Sequence, residues 1–359
     1  VYFRAHENQN AQAIGVVSSP DGETWSEPVG PILENGSALG GWDNRNMSNP
    51  SVVRIDGMAR PYVMAYHARS EFGTERSIGL ATATSPLGPF DRLDSQTGLS
   101  PIVAPVLPPS PTLSWLDSGR TLHPALWYDQ ASGELHLWYN ARTEAVGSLR
   151  VFHALSLDAG LTWDRTDVDG LPGPDVIFQG EQPWEGFRTT QVNVIEAPFG
   201  PEGSFEIWFT GNEEAVGAAA GTATDWARTS MDPILEASSD CERMDGEAVS
   251  ARGVRYDPGE DAYHWYYGAQ SRISASGPCP ANVDTIFANG GGTVSYVARA
   301  INYAPAIGID PVPAPAADMV LTGWVEDTGP DTVVVTLNSD VDGYLGAATV
   351  APTGNSDPG

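Results

Sequence analysis

Short apolar runs that end in polar tails recur along the chain, and no segment sustains the 3.6-residue apolar period of a helix. Five of these runs align on a small residue, at Ala5, Ala68, Ala141, Gly211 and Ala269. They read VYFRAHEN (1–8), MAYHARSE (64–71), LWYNARTE (137–144), IWFTGNEE (207–214) and WYYGAQSR (265–272). An aromatic or apolar run that passes into polar residues predicts a strand leaving a packed sheet for a loop.

Two further elements flank these strands. A Trp-acid turn and an apolar stretch precede them, as GWDNRNMSNPSVVRI (41–55), SWLDSGRTLHPALWY (114–128), PWEGFRTTQVNVIE (183–196) and, degenerately, RMDGEAVSARGVRY (243–256). A strand of small residues that closes in a turn follows them, as IGVVSSPDGETW (14–25), IGLATATSPLGPF (78–90), RVFHALSLDAGLTW (150–163), AAAGTATDW (218–226) and SYVARA (295–300). Units of about 60–70 residues with three or four short strands are typical of propeller blades, which pack radially to bury both faces.

The repeats predict an all-β fold, a five-bladed β-propeller spanning residues 1–310. The first copy has no leading element, so we expect the first blade to be incomplete at the N-terminus. Residues 311–317 (PVPAPAA) predict a Pro/Ala linker, and 318–359 a short C-terminal β extension. That extension either forms a separate module or folds back to complete the first blade. The alternative to a propeller is a β-sandwich with accidental similarity between strands, against which five in-phase copies argue.

One turn pattern supports the same architecture. The segment SLDAGLTW (156–163) matches the Asp-box pattern S-x-D-x-G-x-x-W, and SPDGETW (19–25) is one residue shorter. In an Asp box the acid caps a β-turn and the Trp packs between strands. The pattern therefore marks a propeller blade and predicts no catalysis by itself.

The charge of the chain limits the classes of partner that the protein can bind. The chain has 46 acidic and 18 basic residues, all of the latter Arg, for a net charge of -28. Nucleic acid and anionic lipid are therefore excluded as default partners, because both require clustered positive charge. No apolar run reaches the ~18–20 residues of a membrane span.

Cys241 and Cys279 leave two interpretations equally open, one disulfide bond or two buried thiols. The chain begins with Val in mid-repeat, so we expect a piece of a longer exported chain, secreted or at the cell surface, and monomeric.

The order of strands brings the candidate chemistry to one place. In an up-and-down sheet the first strand starts where the second ends, so the Trp-acid turns and polar tails should meet at one mouth of the propeller channel. Aromatic faces, amides and Arg around such a mouth suit a sugar, whose C–H surfaces stack and whose hydroxyls hydrogen-bond. The residues predicted to bind carbohydrate are Trp42, His67, Arg69, His123, Asn140, Arg142, Gln191, Asn212, Glu213 and Arg272.

Glycoside hydrolysis would require two carboxyl groups, about 5–5.5 Å apart for retention or about 6.5–9.5 Å for inversion. By position we predict Asp43, Glu185 and Glu247 as catalytic acids. Asp43 and Glu185 both follow a Trp of the repeat, so each has the alternative role of tying off its turn by accepting backbone N–H bonds. Glu247 and Glu213 do not recur in this way. Arg69 and Arg142 do recur, and a structural pairing with a neighbouring blade explains them as well as ligand binding does.

At this point a family resemblance can be stated. The combination of W-D…N-P-S-V-V, an aromatic strand ending in Y-x-A-R, and I-G-x-A-x-x-S-P resembles the five-bladed propeller glycosidases of glycoside hydrolase families 32, 43, 62, 68 and 130. It is most similar to their bacterial glycosyl hydrolase-like relatives. In families 32 and 43 an Asp, usually before Pro, starts the first inner strand. Here the residues that precede Pro are Asn49 and His123, so the resemblance carries over no catalytic residue.

Three functions remain open at the level of sequence. The first is a secreted glycoside hydrolase-like protein that binds, and if active hydrolyses, a poly- or oligosaccharide. The second is a non-catalytic glycan-binding or cell-surface module, which Asn49 and His123 support. The third is a sialidase-like hydrolase, suggested by the Asp box and by Arg69, Arg142 and Arg272. Against it stand five repeats where sialidases have six blades.

No cofactor is predicted. The six His residues are scattered and no Cys/His spacing indicates zinc. The resemblance implies that a channel Ca²⁺ is possible, since some members of the superfamily hold one. No D-x-D-x-D loop supports such a site in this chain.

Overall fold

The computed structural model describes residues 1–8, 11–20, 24–36, 41–69, 76–93, 119–142, 148–166, 174–186, 188–212, 215–237, 248–259, 261–271, 294–303, 321–324, 333–339 and 343–350. Within these residues the regular structure is β-strand, apart from one 3₁₀ turn at Pro183–Glu185. The chain divides into two compact units. One comprises Val1–Asn212 and Ala218–Met231, and the other Glu213–Gly217 and Asp232–Gly359.

The first unit is built from antiparallel sheets whose strands follow one another in chain order. The first sheet contains β1 (Tyr2–Asn8), β2 (Ala11–Val16) and β3 (Val29–Glu34). The second contains β4 (Arg45–Arg54), β5 (Tyr62–Arg69), β6 (Arg76–Ala83) and β7 (Asp91–Leu93). The third contains β8 (Arg120–Tyr128), β9 (Leu135–Arg142), β10 (Arg150–Ser156) and β11 (Asp164–Arg165). The fourth contains β12 (Thr189–Glu196), β13 (Phe205–Gly211), β14 (Ala215–Gly221) and β15 (Trp226–Arg228), of which Ala215–Gly217 belong to the second unit. The short strand β16 (Leu235–Glu236) also belongs to the second unit.

The second unit contributes the fifth sheet and a separate hairpin. The fifth sheet contains β17 (Ala248–Asp257), β18 (Ala262–Ser271), β19 (Val294–Tyr303) and β20 (Leu321–Trp324), and the hairpin contains β21 (Val333–Ser339) and β22 (Gly343–Val350). The prediction of an all-β fold, a five-bladed β-propeller with a short C-terminal β extension, is confirmed. The first sheet, predicted to be an incomplete blade, has three strands. Strand β20 pairs with β19, so residues 321–324 are the fourth strand of the fifth sheet. The domain limits at residues 310 and 318 stay a prediction, and Cys241 and Cys279 lie outside the described residues.

Both faces of the middle strands are buried in the first unit, which explains why these strands read as apolar runs without alternation. In β5, Met64 and Tyr66 pack toward the first sheet with Ile14 and Met47. The residue between them, Ala65, packs toward the third sheet. A further core joins the third and fourth sheets through Trp138, Val151, Ile207 and Phe209. The second and third sheets therefore each contribute to two cores.

The turn between β10 and β11 shows how one blade closes. Asp158 accepts hydrogen bonds from the backbone N–H of Thr162 (2.8 Å) and from the Ser156 hydroxyl (2.8 Å). Trp163 donates its indole N–H to the carbonyl of Gly160 at 3.0 Å and packs on the core between the second and third sheets. Gly160 has a φ of 94°, which glycine adopts without steric cost.

Candidate functional site

The first strands of the second, third and fourth sheets carry the same irregularity. Pairing with the second strand shifts between Ser48 and Ser51 in β4, between Leu122 and Ala125 in β8, and between Thr190 and Asn193 in β12. The residues inside these three β-bulges are Asn49, His123 and Gln191, with φ values of 52°, 45° and 52°. In the second unit β17 has a shift at the same place, between Ala251 and Gly253.

A left-handed backbone at three equivalent non-glycine positions is a property of the repeat. Each such residue costs on the order of 1–3 kcal/mol and persists only where the surroundings hold it. Bulges also re-aim a side chain out of the regular alternation of a strand. Asn49, His123 and Gln191 are half-buried, and β8 packs between β4 and β12. The three bulges thus present polar side chains from neighbouring strands.

Each of two bulges is held by a buried side chain from the second strand of the preceding blade. The backbone N–H of His123 donates to Nδ1 of His67 at 3.2 Å, and the N–H of Gln191 donates to Oδ1 of Asn140 at 3.0 Å. His67 and Asn140 occupy the same repeat position and are both buried. A bulge removes its N–H from the sheet ladder, and these side chains supply the missing acceptor. We call Asn49, His67, His123, Asn140 and Gln191 the bulge site.

Asn140 uses its whole hydrogen-bonding capacity inside this site. Its Nδ2 donates to the carbonyls of Thr189 (2.6 Å) and Arg150 (3.3 Å), while Oδ1 accepts from Gln191 and lies 3.0 Å from Nδ1 of His123. Because an amide oxygen only accepts, Nδ1 of His123 carries a proton and donates to Asn140. Gln191 in turn accepts from the Thr210 hydroxyl at 3.4 Å. One continuous polar network therefore fixes the tautomer and orientation of His123.

His67 is neutral in this network. Burial lowers its pKa well below the ordinary value, with smaller contributions in the same direction from His123, Arg76 and Arg4. Its Nδ1 accepts from His123, so the proton sits on Nε2. Arg76 lies 3.5 Å from that nitrogen, and two donors facing each other make this a contact without a hydrogen bond.

The predicted acid Asp43 lies in a buried cluster with the last strand of its own sheet. It accepts from the Tyr66 hydroxyl at 3.1 Å and forms an ion pair with Arg92, and 4% of its surface is exposed. Burial, followed by the charge of Asp43, raises the pKa of Tyr66 well above its ordinary value. Trp42 stacks on Tyr66 with ring centroids 5.7 Å apart. A side chain in place of Gly79 would collide with that Trp42 ring.

Glu185 repeats this arrangement in the fourth sheet. Its carboxylate accepts from Nε and Nη2 of Arg228 at 2.6 and 2.8 Å, and from the N–H groups of Glu181 and Gln182 at 2.6 and 2.8 Å. It has no exposed surface. Trp184 stacks on Phe209 with centroids 5.8 Å apart. We call Trp42–Asp43–Arg92 and Trp184–Glu185–Arg228 the Trp-acid clamps.

The two clamps contain two of the three predicted catalytic acids, Asp43 and Glu185. Both carboxylates are neutralised by an arginine of the outermost strand, β7 for Asp43 and β15 for Glu185. Such contacts favour the alternative role, in which the acid ties off its turn. A catalytic role for Asp43 and Glu185 stays a prediction. The third predicted acid, Glu247, lies outside the described residues, as do the predicted ligand-binding residues Glu213 and Arg272.

A group of arginines adjoins the bulge site. Arg69 at the end of β5 is opposite Arg45 on β4 and Arg76 on β6, and Arg142 at the end of β9 is opposite Arg120 on β8. Strand β8 packs against β4, β5 and β6, and the Thr121 hydroxyl donates to the carbonyl of Arg76 at 3.4 Å. We call Arg45, Arg69, Arg76, Arg120 and Arg142, with Arg4 of β1, the arginine cluster.

Asn212 is the remaining described residue that was predicted to bind carbohydrate, and it belongs to neither the bulge site nor the arginine cluster. Asn212, just after β13, is exposed with a φ of 48°, and its N–H donates to the carbonyl of Arg188 at 3.3 Å. The structure thus joins His67, His123, Asn140 and Gln191 in one network and sets Arg69 and Arg142 beside it. It places Trp42, Asp43 and Glu185 in the clamps.

Several residues of these sites were not predicted from the sequence. The clamp arginines, Arg92 and Arg228, lie far along the chain from their acids, so no local pattern announces them. Arg45 and Arg120 did leave a signal, because each precedes its bulge by three or four residues, in RNMSNP and RTLHP. The third bulge repeats that spacing in RTTQV.

The described residues offer neither a metal centre nor a membrane-spanning helix. They contain no group of three or more His, Cys, Asp or Glu side chains suited to a metal ion. In the same part of the chain, no helix has the length and hydropathy to cross a membrane.

Comparison with known proteins identifies the fold. No protein-family model matches this chain, and neither does any curated protein sequence. Solved structures do match. A thermostable family-43 glycoside hydrolase has 17% sequence identity and a TM-score of 0.58, with 92% of this chain and 95% of that chain covered. A glycosyl hydrolase from Bacteroides ovatus has 16% identity and a TM-score of 0.56, over 82% of this chain and 80% of that one.

A third match comes from the family-130 mannoside phosphorylases, which contain glycoside hydrolases that target β-1,2-mannosidic linkages in Candida mannan. It has 17% identity and a TM-score of 0.52, over 81% of this chain and 77% of that chain. At such identities the likeness concerns the fold alone. The chain therefore has the five-bladed propeller fold of glycoside hydrolases, as the resemblance implied.

Proposed function

We propose that this protein is a carbohydrate-binding propeller of the glycoside hydrolase type, and that it binds a poly- or oligosaccharide at the bulge site. The observation that carries the proposal is the set of three left-handed residues, Asn49, His123 and Gln191, at equivalent positions of neighbouring inner strands. Strain of this kind collects at ligand sites.

The chemistry of the bulge site fits sugar hydroxyls. Imidazole and amide groups both donate and accept hydrogen bonds, which matches the dual character of a hydroxyl. The Asn140 network fixes His123 in one tautomer and orientation before any ligand arrives. Preorganisation of this kind reduces the ordering cost of binding.

The structural neighbours support a carbohydrate ligand. Those with TM-scores of 0.5 or more include, by their names, a family-43 glycoside hydrolase, a β-1,2-mannobiose phosphorylase from Listeria innocua and an endo-1,4-β-xylanase from Bacteroides thetaiotaomicron. All of these names denote proteins that act on glycosidic bonds. This chain shares the fold of these proteins, whereas the substrates in their names are stated for those proteins alone.

A second candidate function is hydrolysis of the bound glycan, favoured by the likeness to the family-43 hydrolase. Paired carboxyl groups would have to carry it. Because arginines neutralise Asp43 and Glu185, we propose Glu247 as the first acid to test, with Glu213 as its partner. We also propose that the protein is monomeric and acts outside the cell or at its surface, where its acidic coat keeps it soluble.

The test is a panel of neutral and acidic glycans, assayed for binding by calorimetry and for cleavage by reducing-end release. We expect at least one glycan to bind, and the His123→Ala and Gln191→Ala variants to weaken it by about tenfold or more. Gln130→Ala is the matched control, an exposed amide just beyond the far end of β8, and should bind normally. A panel in which nothing binds or is cleaved would overturn the proposal.

A further inference from the structure

Two histidines of the third sheet form a buried pair that lies outside the bulge site. Nδ1 of His136, on β9, is 3.0 Å from Nε2 of His153, on β10. Only 8% and 4% of the surfaces of these two residues are exposed. Nδ1 of His153 lies 2.6 Å from the hydroxyl of Thr166, just after β11. Imidazole and hydroxyl groups thus link three successive segments of one blade.

The pair faces the fourth sheet and is enclosed by aromatic rings. His136 stacks on Trp138 with ring centroids 5.5 Å apart. It also contacts Trp127 and Phe205, at centroid distances of 5.4 and 5.9 Å. Trp138 donates its indole N–H to the carbonyl of Ala223, in the turn after β14, at 3.0 Å. The histidine pair therefore belongs to the interface between the third and fourth sheets.

The contact between the two rings limits how many protons the pair can hold. In the neutral pair, one of the two facing nitrogens donates and the other accepts. If both rings were protonated, two N–H groups would face each other across 3.0 Å, and the contact would break. Two positive charges would also lie in an interface with little exposure to water, where burial and mutual repulsion both disfavour ionisation.

The charges nearest to the pair come from the turn before β9. Glu134 lies 3.6 Å from Nε2 of His136. Burial lowers the pKa of His136, against a smaller raising effect of Glu134 and Asp129. Burial, followed by the charge of His136, lowers the pKa of His153 to about 3. Both rings are therefore neutral at neutral pH.

The adjoining strands carry further charged residues. On β11, Asp164 and Arg165 are paired with residues of β10 other than His153. On the fourth sheet, Glu196 and Asp225 are exposed, the first at the end of β12 and the second in the turn after β14. Because burial is the largest cause of both lowered pKa values, it governs the titration of the pair.

One face of β9 carries both the pair and a bulge-site residue. Since side chains alternate along a strand, His136, Trp138 and Asn140 are all directed toward the fourth sheet. Asn140 there binds the carbonyl of Thr189 and the N–H of Gln191. From His136 to Asn140 the strand advances by about 13 Å. The histidine pair and the support of the Gln191 bulge thus lie in one interface, between the same two sheets.

We propose that the His136–His153 pair is an acid-sensitive latch between the third and fourth sheets, which holds the Gln191 bulge at neutral pH and releases it when the pair takes up protons. Protonation breaks the contact between the rings, the aromatic interface opens, and the Gln191 N–H loses its acceptor on Asn140. For a glycan bound at the bulge site, the latch supplies release on acidification. That consequence alone rests on the proposed carbohydrate function.

The direction of the pH effect follows from the two lowered pKa values. The unfolded or opened chain takes up protons near pH 6.5, whereas the closed interface does not. The stability that the pair contributes is therefore complete above about pH 6.5 and is lost as the pH falls below it. One histidine that stays neutral when closed makes opening about 30-fold more favourable at pH 5 than at pH 7.5.

The first experiment follows the Gln191 N–H by NMR-detected hydrogen exchange at pH 7.5 and pH 5, corrected for the intrinsic pH dependence of exchange. We expect its protection to fall by about 30-fold or more, and that of the β5 amides in the second sheet to fall less. Equal losses at Gln191 and in β5 would indicate global unfolding and overturn the latch. Unchanged protection at Gln191 would overturn it as well, and neither result affects the proposed carbohydrate function.

The second experiment tests whether the pair causes this change. In His153→Gln, which keeps a hydrogen-bonding group but cannot titrate, the pH-dependent loss of protection at Gln191 should be about tenfold smaller than in wild type. His136→Gln should reduce the loss less, because Glu134 offsets part of the effect of burial on the pKa of that ring. Glu202→Gln, which removes an exposed carboxyl group between β12 and β13, is the control and should behave as wild type. The full wild-type pH dependence in both histidine variants would refute the latch.

A measurement on the wild-type protein decides the question even if neither variant folds. The ring resonances of His153 should keep the chemical shifts of the neutral form down to the pH at which Gln191 loses its protection. A His153 ring that titrates near pH 6.5 while Gln191 stays protected would show that protonation does not open the interface, and the proposal would be wrong.

Discussion

Arginine has opposite roles in two regions of the first unit. In the Trp-acid clamps, Arg92 and Arg228 each neutralise one buried carboxylate on the same sheet. In the arginine cluster, Arg45, Arg69 and Arg76 face one another across three strands. The first arrangement ties a buried acid to its own sheet, whereas the second sets arginines of neighbouring strands opposite one another.

The difference separates structural repetition from functional repetition. A Trp, an acid and a distant arginine recur in the second and fourth sheets with matched contacts, as an element of the blade should. The bulges also recur, but the residue they present changes from Asn49 to His123 to Gln191. Because the backbone is constant while the side chain varies, we expect these positions to determine which ligand is bound.

The largest effect should come from breaking a clamp. Glu185→Gln removes the buried counter-ion of Arg228 and leaves only the exposed carboxylate of Glu181, so we expect a loss of about 3 kcal/mol in the free energy of unfolding. Urea denaturation followed by tryptophan fluorescence measures it. Asp56→Asn, in the exposed Arg54–Asp56 pair, is the control and should change stability by less than about 1 kcal/mol. A stable Glu185→Gln protein that no longer cleaves a substrate would instead restore Glu185 as a catalytic acid.

A smaller effect should appear when the bulge site is titrated. His67 stays neutral in the folded protein because its pKa is lowered well below 6.5, whereas the unfolded chain takes up a proton near pH 6.5. The unfolded state thus binds more protons below that pH, and stability is lost as the pH falls. Between pH 7.5 and 5 the loss due to His67 should be about 2 kcal/mol.

The measurement compares wild type with His67→Gln by urea denaturation at pH 7.5 and pH 5. Glutamine keeps an acceptor for the His123 N–H and cannot titrate, so the variant should lose less stability on acidification. The other buried histidines and the carboxylates are common to both proteins and cancel in the difference. Identical pH dependence in the two proteins would contradict a neutral, buried His67.

The smallest effect concerns backbone strain at a bulge. Gln191→Gly should be more stable than Gln191→Ala by about 1 kcal/mol, because glycine adopts a φ of 52° without a steric penalty. Asn193, two residues along β12 outside the bulge, provides the control. There the order should reverse, with Ala more stable than Gly by roughly 0.5–1 kcal/mol. The same order at both positions would contradict strain at the bulge.

The blades were predictable because their signal is local. Strands such as MAYHAR and LWYNAR bury both faces, so their apolar runs appear in the sequence whatever the partner strand. The Trp-acid turns were equally visible. The role of the acids in these turns could not be predicted, because the arginines that neutralise Asp43 and Glu185 lie 49 and 43 positions further along the chain. An acid that accepts an ion pair and one that awaits a substrate look alike in a sequence.

The amino-acid sequence by itself determined an all-β chain of five repeats with a net charge of -28, because apolar runs, turn residues and charges can be read position by position. The tertiary structure alone decided which polar residues belong together. The bulges at Asn49, His123 and Gln191 depend on strand register, and their support by His67 and Asn140 depends on packing between blades. The arginine cluster has the same origin, because only paired strands bring residues such as Arg45, Arg69 and Arg76 within reach of one another.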